Sequence, residues 1–324
     1  MSDMVRIGAV ILTAENKGRG ITNDGTHCYI TGDSMNMKIV KIRMSDLVRI
    51  GAGAPMSNPW VDSGQAITND GVHCYAIAAS APAKVVKVRM SDLVHIKTVT
   101  LASGEDWPQC ITNDDVHCYV GVSGSPGRVV KVRMSDMTRI SAVTLAAGEN
   151  TAQGITHDGV HCYVTTNTSP ARVVKVRMSD MVRISAVTLA AGENIAYAIT
   201  HDGTHGYVVI HTSPGRVVKI HLSDMTRISA VTLLLATENA PRSIINDGTH
   251  CYAVCYTAPT RIVKIRMSDM VRISGIELAA GENTGGSITD DGVHCYIVTE
   301  TNPPRVVKVF MGVAKRRRIM VAFI

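Results

Sequence analysis

The sequence predicts an all-β fold: a seven-bladed β-propeller of four-stranded antiparallel blades, its ring closed by the N-terminal outer strand. Three observations predict it. A Ser-Asp phrase flanked by Met or Leu returns at Ser2, Ser45, Ser91, Ser135, Ser179, Ser223 and Ser268, at spacings of 43 to 46 residues. A period of that length means one supersecondary unit per repeat. Each unit contains four short β-favouring runs joined by turn signals, the pattern of a propeller blade. Finally, the chain begins on the fourth strand type and its last repeat stops at the third. Residues 5–12 are therefore expected to complete the final blade and remove a free sheet edge.

The unit at 152–189 justifies each element, labelled A to D from the axis outward. "AQGIT" is a short apolar strand A. "HDG" follows, and Asp-Gly supplies the positive φ of a tight hairpin turn. "VHCYVTT" is β-branched and aromatic, which suits strand B. "NTSPAR" turns at Pro170. "RVVKVRM" alternates apolar and basic residues, the period of strand C. "SDM" turns again, "VRISAVTL" is strand D, and "AAGEN" leads to the next unit. Strand D is expected at 5–12, 48–55, 94–101, 138–145, 182–189, 226–233 and 271–278, and the last strand C at 305–310. The propeller is expected to span 1–311 as one domain. Residues 312–324, "GVAKRRRIMVAFI" from Gly312 on, form a basic and apolar tail without a repeat equivalent.

Hydrophobic residues make up 45% of the 324 and aromatics only 4%, so the core is expected to consist of Val, Ile, Ala, Met and Cys. The net charge of +6 is a mild basic bias, weak support for an anionic partner. The opening "MSDMVRIGAV" carries an early acid and lacks a long apolar run, which does not fit a secretory leader. No stretch approaches the ~20 apolar residues of a membrane helix.

The layout resembles the YVTN family of propeller repeats, a WD-repeat-like group. "ITHDGVHCYVTTN" at 155–167 and "VVKVRMSDMVRISAVTL" at 173–189 carry the resemblance, which covers about residues 1–311. It implies a binding or structural module. Members of that family are often exported surface proteins, whereas this chain shows no export signal.

The phrase at 154–166, "GITHDGVHCYVTT", looks like a catalytic or metal site, yet it recurs in every unit. It is a hairpin. Asp158 and Gly159 make the turn, as do Asp24/Gly25, Asp70/Gly71, Asp202/Gly203, Asp247/Gly248 and Asp291/Gly292, while Asp114/Asp115 deviates. Cys28, Cys74, Cys118, Cys162, Cys251 and Cys295 share one position, which Gly206 fills in the fifth hairpin. Equivalent points on stacked sheets lie about 10 Å apart, beyond the ~7 Å Cα limit of a disulfide. Free, buried thiols are expected, and eight of them suit a reducing compartment. The expected location is cytoplasmic or in a virion. His27, His73, His117, His161, His205, His250 and His294 form one ring with a single His per blade. That gives no convergent ligand set, so neither metal nor cofactor is expected.

Strand C begins with Lys38, Lys84, Arg128, Arg172, Arg216, Arg261 or Arg305, and the D–A loops carry Glu15, Glu105, Glu149, Glu193, Glu238 and Glu282. Both sets fall at the same end of the ring and are expected to pair. Lys41, Lys87, Lys131, Lys175, Lys219, Lys264 and Lys308 lie mid-strand and are expected to snorkel between blades. No aromatic residues are interleaved with these basic ones for base stacking, which argues against nucleic acid as a partner.

Positions where near-identical repeats disagree are the informative ones. Two residues before each strand-A Ile lie Arg19, Gln65, Gln109, Gln153, Tyr197, Arg242 and Gly286, with Trp60 and Trp107 in neighbouring loops. All are expected at the channel mouth, where loops on a rigid scaffold carry function. The second repeat also departs, with "PMSNPWVDSGQ" at 55–65 in place of the Glu-containing loop. No nucleophile, base and orienting group occur together at one place only. The leading reading is a non-catalytic binding or scaffold module with a protein partner, part of a larger assembly such as a virion or surface structure. The alternative is a lactonase- or lyase-like propeller enzyme with its site in the channel.

Overall fold

A computed structural model describes residues 4–13, 15–32, 37–53, 63–234 and 236–312. Trp60 and residues 313–324 lie outside the described residues. The described residues form seven four-stranded antiparallel sheets without a helix. Blade 1 comprises Gly18–Asn23, His27–Gly32, Ile39–Arg43 and Arg49–Ala52 as strands A to D. The next five blades follow in chain order. Blade 7 joins Gly285–Asp290, His294–Thr299 and Arg305–Phe310 to Val5–Ile11, which pairs antiparallel with Arg305–Phe310 from Val5↔Phe310 to Ile11↔Arg305. The N-terminal strand therefore closes the ring as the sequence predicts.

The A–B turns follow from Asp-Gly chemistry. Gly25, Gly71, Gly159, Gly203, Gly248 and Gly292 take φ between 81 and 92°, and Asp115 takes the same role at 67°. The turn aspartate does more than turn. Asp158 Oδ1 accepts from the backbone N–H groups of Val160 and His161, and Tyr163 donates to its Oδ2 at 2.8 Å. Burial alone would raise this carboxyl, but those donors outweigh it and hold Asp158 below the usual range.

The same tyrosines correct the expected core. Tyr29, Tyr75, Tyr119, Tyr163, Tyr207, Tyr252 and Tyr296 are the largest fully buried side chains. Composition hid them because one Tyr per blade is a small fraction of a chain. Each ring lies under the ammonium group of its own blade's strand-C lysine, as with Lys131 5.6 Å from the Tyr119 centroid. The lysines also depart from expectation, because their heads do not reach for water. Lys131 Nζ donates to the Met178 carbonyl of the next blade at 2.8 Å. Lys87 reaches Met134 and Lys219 reaches Met267. Lys308 of blade 7 completes the circuit on Met44 of blade 1.

The D–A glutamates are buried, and their partner is not the one expected. Arg183 Nε donates to Glu149 Oε2 at 2.8 Å, and Arg139 and Arg227 do the same to Glu105 and Glu193. These arginines lie on strand D of the following blade, not at the start of strand C. The arginine at the start of strand C adds only a weaker field. Arg6 on Glu282 makes the same link across the closure. Blade 2 carries His95 at the arginine position, and it is the blade whose preceding loop lacks the glutamate. Both halves of the pair are replaced together.

Strand D also carries a bulge in every blade, such as the extra Ile140 between Val132↔Arg139 and Lys131↔Ser141. Six of these isoleucines are exposed, Ile7 at 55% and Ile140 at 41%, and Ile273 is half-buried. A bulge raises local twist and blunts an outer edge against pairing.

Two predictions test this scaffold. Deleting residues 1–11 uncovers the strand edge of blade 7 and removes the Arg6–Glu282 link. Aggregation or a large loss of thermal stability is expected in light scattering and calorimetry, and parent-like stability would contradict closure by this strand. The second concerns pH. Burial alone would raise Glu105, Glu149 and Glu193, yet the arginine and backbone donors hold them below the usual carboxylate range. Their folded values lie below the unfolded ones, so their stabilisation is complete above the unfolded carboxylate range and is lost as pH falls through the folded values. Denaturant titrations from pH 7 to 2 are expected to show stability falling on this acid limb. The fall should be shallower in Glu149→Gln, and an unchanged profile in that variant would refute the assignment.

Candidate functional site

The central channel holds the site. The A strands of adjacent blades pack so closely at the axis that small residues are required between them. A Cβ on Gly154 would meet the Tyr197 carbonyl oxygen at 2.6 Å, and one on Gly20 the Ala66 Cα at 2.8 Å. Towards the end that carries the B–C and D–A connections, the channel opens into a cavity of about 330 Å³. That lies at the lower end of the range of ligand pockets.

Arg19, Gln65, Gln109, Gln153, Tyr197, Arg242 and Gly286 all line this cavity, one from each blade. The structure places them inside strand A and not in a loop. Each is the extra residue at a shift in the A–B register. In blade 3, Pro108 pairs with Val122 and Cys110 with Gly121, leaving Gln109 without a partner, and the same shift occurs in all seven A–B ladders. A bulge breaks the alternation of a strand and re-aims a side chain. Here it turns the one divergent position of strand A into the channel. Trp107 does not join this wall. It sits on the rim at 53% exposure with φ 50°, and its carbonyl accepts from the Gln109 amide.

A second ring was missed by reading the sequence. The first residue after strand B is Ala79, Ser123, Asn167, His211, Tyr256 or Glu300 in blades 2 to 7. It varies as strongly as the bulge ring, and that disagreement was the available signal. The two rings touch within a blade. Gln109 Nε2 donates to Ser123 Oγ at 3.0 Å. Tyr197 packs on His211 with centroids 4.9 Å apart. The Arg242 guanidinium lies 3.5 Å from the Tyr256 ring centroid and 5.2 Å from that of Tyr197.

The channel wall is consequently two-sided. Blades 2, 3 and 4 present three amides, Gln65, Gln109 and Gln153. Blades 5, 6, 7 and 1 present Tyr197, Arg242 and Arg19 around Glu300. Glu300 Oε1 accepts from Arg242 Nη1 at 2.8 Å, and its Oε2 lies 3.8 Å from Arg19 Nη1. Gly286 makes room for it, since a Cβ there would meet Glu300 Cγ at 3.1 Å. His211 lies behind Tyr197, with Nδ1 buried and no hydrogen-bond partner among the described residues. Burial first, and then the Arg242 charge, hold this imidazole below its ordinary value, so it is neutral near pH 7.

The opposite end is regular. Each of the seven hairpin histidines stands over the turn aspartate of its own hairpin, as with His161 Nδ1 at 3.7 Å from Asp158 Oδ2 and His205 at 3.4 Å from Asp202. Among the described residues no three His, Cys, Asp or Glu side chains converge as metal ligands.

No protein-family model matches this sequence, and no curated protein does. Solved structures do match. Virginiamycin B lyase from Staphylococcus aureus superposes with a TM-score of 0.76 at 15% identity, over 94% of this chain and 98% of that one. Hydrazine synthase from Kuenenia stuttgartiensis gives 0.73 at 15% identity, over 91% and 96%. At that identity the likeness is one of fold. No helix among the described residues is long and apolar enough to cross a membrane.

All eight cysteines are free and buried. Burial pushes their thiols up, Cys110 and Cys255 to about 12, and a thiol that stays protonated is a poor nucleophile. Iodoacetamide at pH 8 is expected to label none of them in the folded protein. All eight should be labelled once guanidinium unfolds it without reductant. Labelling of the native protein, or a deficit after unfolding, would contradict this.

Proposed function

We propose that this protein is a non-catalytic binding module that takes its ligand at the B–C and D–A mouth of the central channel. One observation carries the reading. Repeats that agree at the hairpin turn, the buried tyrosine and the strand-C lysine diverge at the bulge ring that lines this mouth and at the residues after strand B that touch it. Drift on a neutral surface has no reason to select the bulge residue of strand A and the facing B–C residue. A site for one asymmetric ligand does, because a sevenfold scaffold must be made unlike around the axis. The rim Trp107 extends the surface outward, which suits a protein partner that inserts a side chain or a chain end. The blade layout resembles that of YVTN-type binding modules and supports the same reading.

A second reading is a lyase-like enzyme with its site in the same cavity. It is favoured by the neutral His211 beside Tyr197 and Arg242, and by a lyase among the proteins of similar fold.

The test is recovery of the ligand or partner from the native source, followed by titration. Arg242→Ala and Tyr197→Ala are each expected to weaken binding by about 1–2 kcal/mol, the range of interface hot spots. His117→Ala and His161→Ala, at the far end, are expected to leave it unchanged. Trp107→Ala should weaken a protein partner and leave a small molecule unaffected. Binding that responds to the hairpin histidines and ignores Arg242 would invert the assignment. Turnover of the recovered ligand, abolished by His211→Ala, would establish the enzyme reading instead.

A further inference from the structure

A further ring of equivalent residues lies at the hairpin end of the channel, and one member breaks it. Strand A ends on Asn23, Asn69, Asn113, His157, His201, Asn246 or Asp290. One arm of each side chain accepts from the backbone N–H two residues on, as Asp290 Oδ1 does from Gly292 at 2.9 Å. The other arm reaches back to the preceding blade. Asn69 Nδ2 donates to the Thr22 hydroxyl at 2.6 Å and to the Asn23 carbonyl at 3.0 Å. Asn23, Asn113 and Asn246 make the same two bonds. His201 Nε2 donates to the His157 carbonyl at 2.9 Å. These bonds tie successive A strands together around the axis.

The seam between blades 6 and 7 departs on both sides. Blade 7 has Asp290, and blade 6 has Ile245 where the acceptor threonine stands in the other blades. By equivalence with those blades, the second Asp290 oxygen faces Ile245 and the Asn246 carbonyl. That oxygen has no hydrogen-bond partner among the described residues. Ionised, Asp290 is an acceptor set against an acceptor; protonated, it has the O–H that can bond the carbonyl. Asparagine supplies a permanent donor at this place, whereas aspartate supplies one only with its proton.

The surroundings favour the proton. Blade 6 contributes Asp247, which accepts from Tyr252 at 2.8 Å and lies 3.6 Å from His250. Blade 7 contributes Asp291, which accepts from Tyr296 at 2.9 Å and lies 3.4 Å from His294, and the buried Cys295 thiol across the A–B ladder. On the blade 1 side, Asp24 is engaged by Tyr29 and by the His27 backbone, while Asn23 bonds the Asp290 carbonyl and not its carboxyl. Burial raises Asp290 most, the Gly292 N–H offsets part of the rise, and the Asp291 and Asp247 charges add to it. Asp247 and Asp291 are themselves held below the ordinary range.

We propose that Asp290 is a proton-operated latch between blades 6 and 7, bonding the Asn246 carbonyl when protonated and releasing it when ionised. The same two strands carry Arg242 and Gly286 at the mouth. The latch therefore acts on the seam that the Arg242–Glu300 pair spans.

The test compares the full-length protein with Asp290→Asn, which installs the donor used in four other blades. Hydrogen exchange of Pro241–Asn246 and Gly285–Asp290 is measured by mass spectrometry at pH 7 and pH 4, as the ratio of variant to parent at each pH. The folded value of Asp290 lies above the unfolded one, so the native form holds a proton that the unfolded or opened chain releases. The latch is then complete below the unfolded carboxylate range and is lost as pH rises through the folded value. Exchange in the variant is expected to be slower by about tenfold at pH 7, the size of one net hydrogen bond, and by less than about threefold at pH 4. The ratio cancels titration of His250 and His294, which both proteins share. Equal exchange at pH 7, faster exchange in the variant, or a slowing of the same size at both pH values overturns the proposal. A second measurement needs no variant at Asp290: its carboxyl carbon is followed by NMR in the parent. The midpoint is expected above the ordinary aspartate value of about 3.9, and Ile245→Thr, which returns a hydroxyl donor to the ionised form, should lower it. A parent midpoint at or below the ordinary value, or one that Ile245→Thr leaves in place or raises, overturns the latch.

Discussion

The interaction on which the ring depends is the buried lysine of strand C. Its stem crosses the face of its own blade's tyrosine, and its ammonium donates to a carbonyl at the end of strand C in the next blade, as Lys131 does to Met178. A cation this buried is tolerated only where it is hydrogen-bonded and lies over an aromatic face. The link also works in one direction only, from each blade to the following one. Repeated around the axis, it returns to its start when Lys308 reaches Met44. The donor lies near the chain's end and the acceptor near its beginning, so the circuit closes only when the ring does. The Arg6–Glu282 pair and the strand Val5–Ile11 close it again further out.

A scaffold held at such invariant positions leaves others free to change. The blade interfaces need the tyrosine, the lysine and the small residue of strand A. They do not need any particular side chain at the strand-A bulge, because that residue pairs with nothing in the ladder. The bulge faces the axis, where one residue from each blade meets the others. Seven copies of one unit can thereby build a single asymmetric site. Three successive glutamines stand across from a stacked arginine, and a glycine makes way for the glutamate beside it. The loss of Glu and Arg together at blade 2 follows the same logic at the outer edge, since a buried carboxylate without its guanidinium is costly.

Much of this was legible in the sequence because a repeated chain reports each constraint several times. The 44-residue period, the Asp-Gly turns and the missing outer strand of the last unit together specify blade number and closure. The divergence of Arg19, Gln65, Tyr197 and Arg242 among otherwise matching repeats points to the channel end. Periodicity could not show that these residues occupy a bulge inside strand A, because a one-residue slip in the A–B pairing changes which side chain faces the axis. It also could not show that Glu149 pairs with Arg183. The two are 34 residues apart and in different blades, whereas the basic residue at the start of strand C is the natural partner by position along the chain.

The sequence by itself determined the repeat, the order of strands in a blade and the set of positions held alike or allowed to differ, since those are properties of local pattern and of comparison between units. The tertiary structure decided which differing positions meet. Ser123, His211, Tyr256 and Glu300 follow strand B, while Gln109, Tyr197, Arg242 and Gly286 lie in strand A, and only the antiparallel A–B pairing sets them side by side. Arg19 and Glu300 stand near opposite ends of the chain and share one wall of the cavity because the ring closes between blades 7 and 1. The repeat pattern specifies the closure, but the 3.8 Å between Arg19 and Glu300 across it is a distance in space that the spacing of residues along the chain does not encode.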